Sequence, residues 1–217
     1  MVYSIITHPK VNPADTQVVA MTGDYKPDSG GFISYCLKPI FEKRRWRGYL
    51  ACTNFQKSLS AFKRNGKKHV NIFLIDEFVG SGKTAIGRVE TIKRQYKEIG
   101  VDINVRVKAI AAAAIGVKAL NDAGIDFECF YELDRGISDS AGEDVLDKLQ
   151  LMLAVEELLS KSFEDIDMPS LGYGGTESLY YREDGNAPNS VFPIFWWPIY
   201  KNGEDRKTLL TRAMSEY

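Results

Sequence analysis

Between residues 71 and 133 the apolar positions change period block by block. Ile72, Phe73, Leu74 and Ile75 form an unbroken apolar run. A run of that length reads as a strand buried on both faces, as in a parallel sheet. Beyond a glycine-rich stretch, Ile86, Val89, Ile92 and Tyr96 recur at helical spacing and predict a helix over 85–99, stopped by Gly100. Ile103, Val105 and Val107 alternate and predict a strand over 103–109. Residues 111–123 are rich in small side chains and predict a helix ended by Gly124. Residues 127–133 predict another strand. Upstream, 17–21 reads as the first core strand, and 22–31 as a loop marked by glycine and proline. A helix is predicted over 32–43, a short strand over 48–52 and a helix over 54–64 that Asn65-Gly66 terminates. This alternation predicts an α/β fold, an open, mostly parallel twisted sheet flanked by helices.

The two ends of the chain depart from the alternation. Residues 1–15, with Pro9 and Pro13, predict a short irregular arm. Residues 143–163 carry apolar positions all round and predict one long, heavily packed helix of a small hood or lid, placed within about 140–200. A glycine-rich connection over 171–178 leads to a predicted strand at 179–182. A turn at 186–189 and the aromatic segment 190–200 follow. Trp196 and Trp197 suit core packing or a flat surface that stacks on a base. The whole of 1–217 is expected to be a single domain.

Composition narrows the class. Hydrophobic residues make up 44 % and charged residues 26 %, which suits a globular chain. No apolar run approaches membrane-crossing length, and the start lacks a basic segment followed by an apolar core, so neither a membrane span nor a signal peptide is expected. Three scattered cysteines, Cys36, Cys52 and Cys129, suggest a reducing cytoplasm. His8 and His69 form no metal or triad spacing with them. Charge is uneven: residues 1–70 hold 12 Lys and Arg against 4 Asp and Glu, a balance of +8, and the remainder holds 16 against 25, a balance of −9. Arg44, Arg45 and Arg47 belong to the densest basic cluster, which suits either a polyanion or a helix end.

The candidate chemistry lies at 72–84, IFLIDEFVGSGKT. Asp76 and Glu77 sit at the carboxyl end of a central strand, and Gly80-Ser81-Gly82-Lys83-Thr84 opens the following helix. In open α/β sheets ligands bind there, and a turn before a helix N-terminus suits a phosphate. A nucleoside-triphosphate P-loop needs glycine five positions before Gly82, where this chain has Glu77. A carboxylate there repels a triphosphate but holds hydroxyls. Acids for sugar hydroxyls and amides for one phosphate describe a ribose 5-phosphate site. Residues 134–139 also follow a strand end, so Asp134, Arg135 and Ile137 either face a base or simply turn the chain.

The stretch resembles the signature of type I phosphoribosyltransferases, four apolar residues, two acids, two apolar residues, any residue, Thr or Ser, Gly, any residue, Thr. It fits at every position. With ELDRGISD, GYGGTES and APNSVFPIFWW, the chain looks like the phosphoribosyltransferase-like proteins of bacterial conflict systems, some encoded in retron antiphage loci. The resemblance implies a transferase of the glycosyltransferase class that binds phosphoribosyl pyrophosphate (PRPP) or a nucleotide. Asp76 and Glu77 would be catalytic. Phe78, Val79, Gly80, Ser81, Gly82, Lys83 and Thr84 would form the 5-phosphate loop, and Ser29, Gly30 and Gly31 the pyrophosphate loop. Mg²⁺ would come with PRPP, touched at most by Asp76 and Glu77. Partners implied are a winged-helix protein and the reverse transcriptase or nucleic acid of a retron system, with no membrane. A sensing module without turnover is the alternative, and a P-loop NTPase the third reading.

Overall fold

The computed structural model describes residues 1–23 and 29–214; residues 24–28 of the expected loop at 22–31, and residues 215–217, lie outside the described residues. Five strands form one sheet, β1 (Thr16–Ala20), β2 (Leu50–Cys52), β3 (Asn71–Val79), β4 (Asn104–Ala113) and β5 (Asp126–Leu133). Their order is β2-β1-β3-β4-β5 and every pairing is parallel. β3 lies in the middle, which explains its apolar run: Ile72, Phe73, Leu74 and Ile75 are all fully buried. Ile72 and Leu74 pack under α3 (Ser58–Arg64), α4 (Lys83–Lys97) and α5 (Ala114–Asp122), against Phe62, Val89, Ile92, Tyr96 and Leu120. Phe73 and Ile75 pack on the other face under α1 (Val2–Ile6) and α2 (Ser29–Lys43), against Val2, Ile5, Ile33, Leu37 and Phe41. Each such burial contributes about 1.5–3 kcal/mol. Among the described residues, no helix is long and apolar enough to cross a membrane.

The chain leaves β1 toward β2 but leaves β3 toward β4. The loops at the carboxyl ends of these neighbours therefore diverge and open a crevice between them. A third apolar cluster, Leu159, Ala187, Val191, Trp196, Trp197 and Met214, holds the C-terminal segments together over that end. Both tryptophans are core: their rings meet edge to face at 5.5 Å, and Trp196 Nε1 donates to the Val191 carbonyl.

Several elements differ from expectation. The N-terminal arm contains α1, whose Val2 and Ile5 are buried in the core, and Asn12 caps a short turn over Pro13–Asp15. Residues 111–113 are strand, not helix. Alanine's helix preference is worth under about 1 kcal/mol, and the ladder outweighs it, with Ala111 opposite Phe78 and Tyr131 and Ala112 opposite Val79 and Glu132. β3 runs on through Asp76 and Glu77, which lie inside the strand rather than past its end.

The predicted helix over 143–163 is shorter, α6 (Val145–Glu156), and poorly covered. Leu146 is 72 % exposed and Leu151 66 %. It ends where buried Glu156 accepts from Leu171 N at 3.0 Å and Ser170 Oγ at 2.6 Å. A small hairpin, β6 (Ser162–Phe163) with β7 (Ile166–Asp167), follows. Residues 179–182 form no strand. Tyr180 and Arg182 line the crevice while Leu179 and Tyr181 are exposed, and the nearest β-bridge joins Ser178 to Val191.

Candidate crevice between β1 and β3

The glycine turn after β3 is shaped by two close approaches. Gly82 caps α4 with φ +79°, a left-handed conformation that glycine adopts without cost. Gly116 of α5 lies so near the turn that a Cβ there would sit 2.0 Å from the Gly80 carbonyl oxygen. With those contacts fixed, residues 80–85 line a cavity of about 400 Å³ together with Asp76, Tyr173, Asn189 and Ser190. The first turn of a helix leaves backbone N–H groups without helical partners, so the cavity combines one carboxylate with a helix N-terminus. Lys83 also lines it, its ammonium 5.5 Å from the Tyr173 ring centroid. Gly174 φ +76° keeps the loop over 171–176 close to Ser81.

Asp76 and Glu77 part company. Neighbours in a strand point to opposite faces, and here they line different cavities, Asp76 the one just described and Glu77 a second of about 330 Å³. Asp76 Oδ1 accepts from Ser29 Oγ at 2.8 Å and from Glu77 N at 2.7 Å. Glu77 is only 5 % exposed. Its Oε1 accepts from Tyr180 Oη at 2.8 Å and from Arg182 Nε at 2.7 Å. Burial and that bond to Glu77 push the Tyr180 phenol well above its ordinary range. Tyr180 also stacks on Phe78 at 4.5 Å between centroids, and Phe78 lines both cavities.

Of the expected pyrophosphate residues, Ser29, Gly30 and Gly31 open α2. Ser29 lines the Glu77 cavity, and Gly30 is buried against Thr22. Arg88 of α4 reaches the end of β1 from below: a Cβ at Gly23 would meet its Nη2 at 2.1 Å, and its guanidinium lies 4.2 Å from the Phe55 centroid. Its Nε is buried with no hydrogen-bond partner among the described residues. Helical spacing alone did not single it out.

The residues expected on the base side, Asp134, Arg135 and Ile137, lie outside the two cavities just described. Arg135 pairs with Asp139 at 2.6 Å on the surface. Ile137 N and Ser138 N donate to Glu177 Oε2 at 3.0 and 2.8 Å, and a Cβ at Gly136 would touch Leu179 and Phe192. This loop is therefore held by a buried carboxylate. The residues that sequence reasoning missed, Tyr180, Arg182 and Arg212, come from the C-terminal segment instead.

No three His, Cys, Asp or Glu side chains gather as a metal cage among the described residues. Mg²⁺ commonly takes one or two carboxylates and completes its shell with water and phosphate oxygens. Asp76, beside the glycine turn, fits that requirement for a metal carried in by a phosphorylated ligand.

The family model PRTase-CE matches residues 4–212 of the chain. No curated protein and no solved structure matches it significantly.

Proposed function

The chain belongs to the PRTase-CE family, a phosphoribosyltransferase-like family, and from that premise we propose that the crevice binds PRPP, or a nucleotide bearing ribose 5-phosphate, and transfers the phosphoribosyl group. The observation that carries this is one cavity holding Asp76 beside the helix-opening turn at 80–84. An acid suits sugar hydroxyls, and helix amides with the Ser81 and Thr84 hydroxyls suit the 5-phosphate. In the reaction the bond from ribose C1 to the pyrophosphate oxygen breaks, and pyrophosphate leaves with the electron pair. A lone pair on the acceptor forms the new C1 bond, and the acceptor's proton passes to solvent. Asp76 favours the positive charge that develops on the ribose. Ser29, whose Oγ bonds Asp76, holds the leaving pyrophosphate with Gly30 and Gly31 on the Asp76 side of the start of α2, which leaves the other side of Ser29 to the cavity that Glu77 lines. Bound Mg²⁺ would neutralise charge on the departing pyrophosphate, with Asp76 as its protein contact.

The test is incubation with PRPP, Mg²⁺ and pooled bases, nucleosides and RNA. Release of pyrophosphate with a phosphoribosylated product is expected. Absence of both release and PRPP binding overturns the proposal. One contact favours a second reading, PRPP or nucleotide sensing through a partner: Glu77 is already held by Arg182 and Tyr180. PRPP binding without pyrophosphate release selects that reading. The setting proposed is a cytoplasmic bacterial antiphage or toxin system with a winged-helix protein and a reverse transcriptase, and co-purification from the native host tests it.

A further inference from the structure

We infer that the cavity between α2 and the C-terminal segment is a second ligand site, that it takes a flat ring bearing negative charge, and that Arg182 selects for that charge. As the acceptor's site it rests on the phosphoribosyl reading; as a binding site it stands alone. Its walls are aromatic: Phe32, Phe78 and Tyr180 line about 330 Å³, with Phe78 and Tyr180 stacked within 11° of parallel. The facing sides of that pair cover each other, which leaves the outer surfaces of the two half-buried rings and the exposed part of Phe32 for a planar ring. Two arginines line it: Arg182, paired with Glu77, and Arg212, which donates to the Ala187 carbonyl and lies over the Trp196 ring. The phosphate cavity differs, with Asp76 set against Lys83.

Arg182 is arranged to read an anion. Nε is spent on Glu77, and the guanidinium lies 4.5 Å from the Phe32 centroid. Its two Nη atoms make no hydrogen bond to the described residues, and the side chain is 40 % exposed. A guanidinium fixed at Nε and across its face still offers an edge that a carboxylate takes through two parallel bonds. A neutral ring would stack equally well and leave that edge to water. The aromatic walls argue against a bare phosphate as the occupant.

The probe pair is nicotinate and nicotinamide, nearly the same ring and size with and without charge, titrated into the full chain by ligand-observed NMR. Nicotinate should bind about tenfold tighter, as one charge-assisted contact predicts. Arg182→Gln should erase the preference and Arg182→Lys keep part of it. Ser81→Asp, which puts a carboxylate in the other cavity, should abolish ribose 5-phosphate binding and leave nicotinate unchanged. Equal binding of the two probes by the wild type overturns the inference, as does a preference that survives Arg182→Gln. Pyrophosphate that binds more tightly and displaces nicotinate one for one also overturns it, by giving the cations to the leaving group. If ribose 5-phosphate fails to bind while nicotinate is preferred, the proposed function falls and this site remains.

Discussion

Arg182 Nε lies 2.7 Å from Glu77 Oε1, joining two residues 105 positions apart. The acid end is covered and the cation end half open, with side-chain exposures of 7 % and 40 %. Together with the Tyr180 bond it fastens the segment after Ser178 to the middle strand of the sheet.

Removing the cation alone should therefore cost more than removing both partners. Arg182→Ala leaves a buried carboxylate short of a donor and should destabilise by about 1–3 kcal/mol. Glu77→Gln combined with Arg182→Ala should cost less than the sum of the single changes. A double-mutant cycle in urea measures this, and strict additivity would remove the coupling.

The two acids should separate in binding assays. Asp76→Asn is expected to weaken ribose 5-phosphate or PRPP at least tenfold, with the melting curve little changed, because Asp76 lines the phosphate cavity. Glu77→Gln should shift stability more than PRPP affinity. Calorimetric titration of both variants decides, and equal losses would refute the division of roles.

Gly116 offers a remote handle on the turn. Gly116→Ala places a methyl group 2.0 Å from the Gly80 carbonyl. The turn must shift, at about 1–3 kcal/mol, and phosphate or sulfate affinity should fall although α5 touches no ligand. Gly82→Val should also fail, through its φ of +79°: its side chain would point at Gly116 and Ala119, not into the cavity. Anion titration of each variant checks this.

Alkaline pH should loosen the fold by a traceable route. Burial pushes the Cys52 thiol from 9.0 up to about 11, and burial also raises the Tyr96 phenol nearby. The folded chain keeps protons that the unfolded chain releases. The contribution from Cys52 is complete below about pH 9 and is lost as pH rises toward 11, about 1–3 kcal/mol in all. Urea midpoints should fall across that window, and Cys52→Ala should flatten the fall.

The basic cluster beyond α2 should report on polyanions. Arg44, Arg45 and Arg47 are exposed, and Arg47 pairs with Glu42. Replacing the three by Ala should weaken RNA or DNA binding and lower the slope of log affinity against log salt by about 0.7–0.9 for each lost phosphate contact. A variant with wild-type affinity and slope makes these arginines plain surface.

β3, its glycine turn and α4 were legible because their determinants are local: an unbroken apolar run, a left-handed glycine and a helical stripe lie within consecutive residues. The pairing of Asp76 with Glu77 was legible as a motif, but their separation was not, because it depends on the strand continuing through both. Ala111–Ala113 misread as helix because propensity is weak and the ladder with Phe78 and Tyr131 is long-range. α6 misread as packed because apolar spacing shows a face without showing whether anything covers it. Tyr180 and Arg182 carried no signal, since their partner is more than a hundred residues away and their own stretch resembles a strand.

Phe78 belongs to both cavities and leans on Tyr180, which in turn bonds Glu77. An occupant on one side of that ring therefore meets a partition whose position the other side also sets. Thermodynamic reciprocity then applies: whatever factor ribose 5-phosphate imposes on the affinity of a flat anion, the flat anion must impose on ribose 5-phosphate. The order in which the two arrive cannot change that factor, so if both proposed ligands bind, each becomes an input to the other's site through a single aromatic ring.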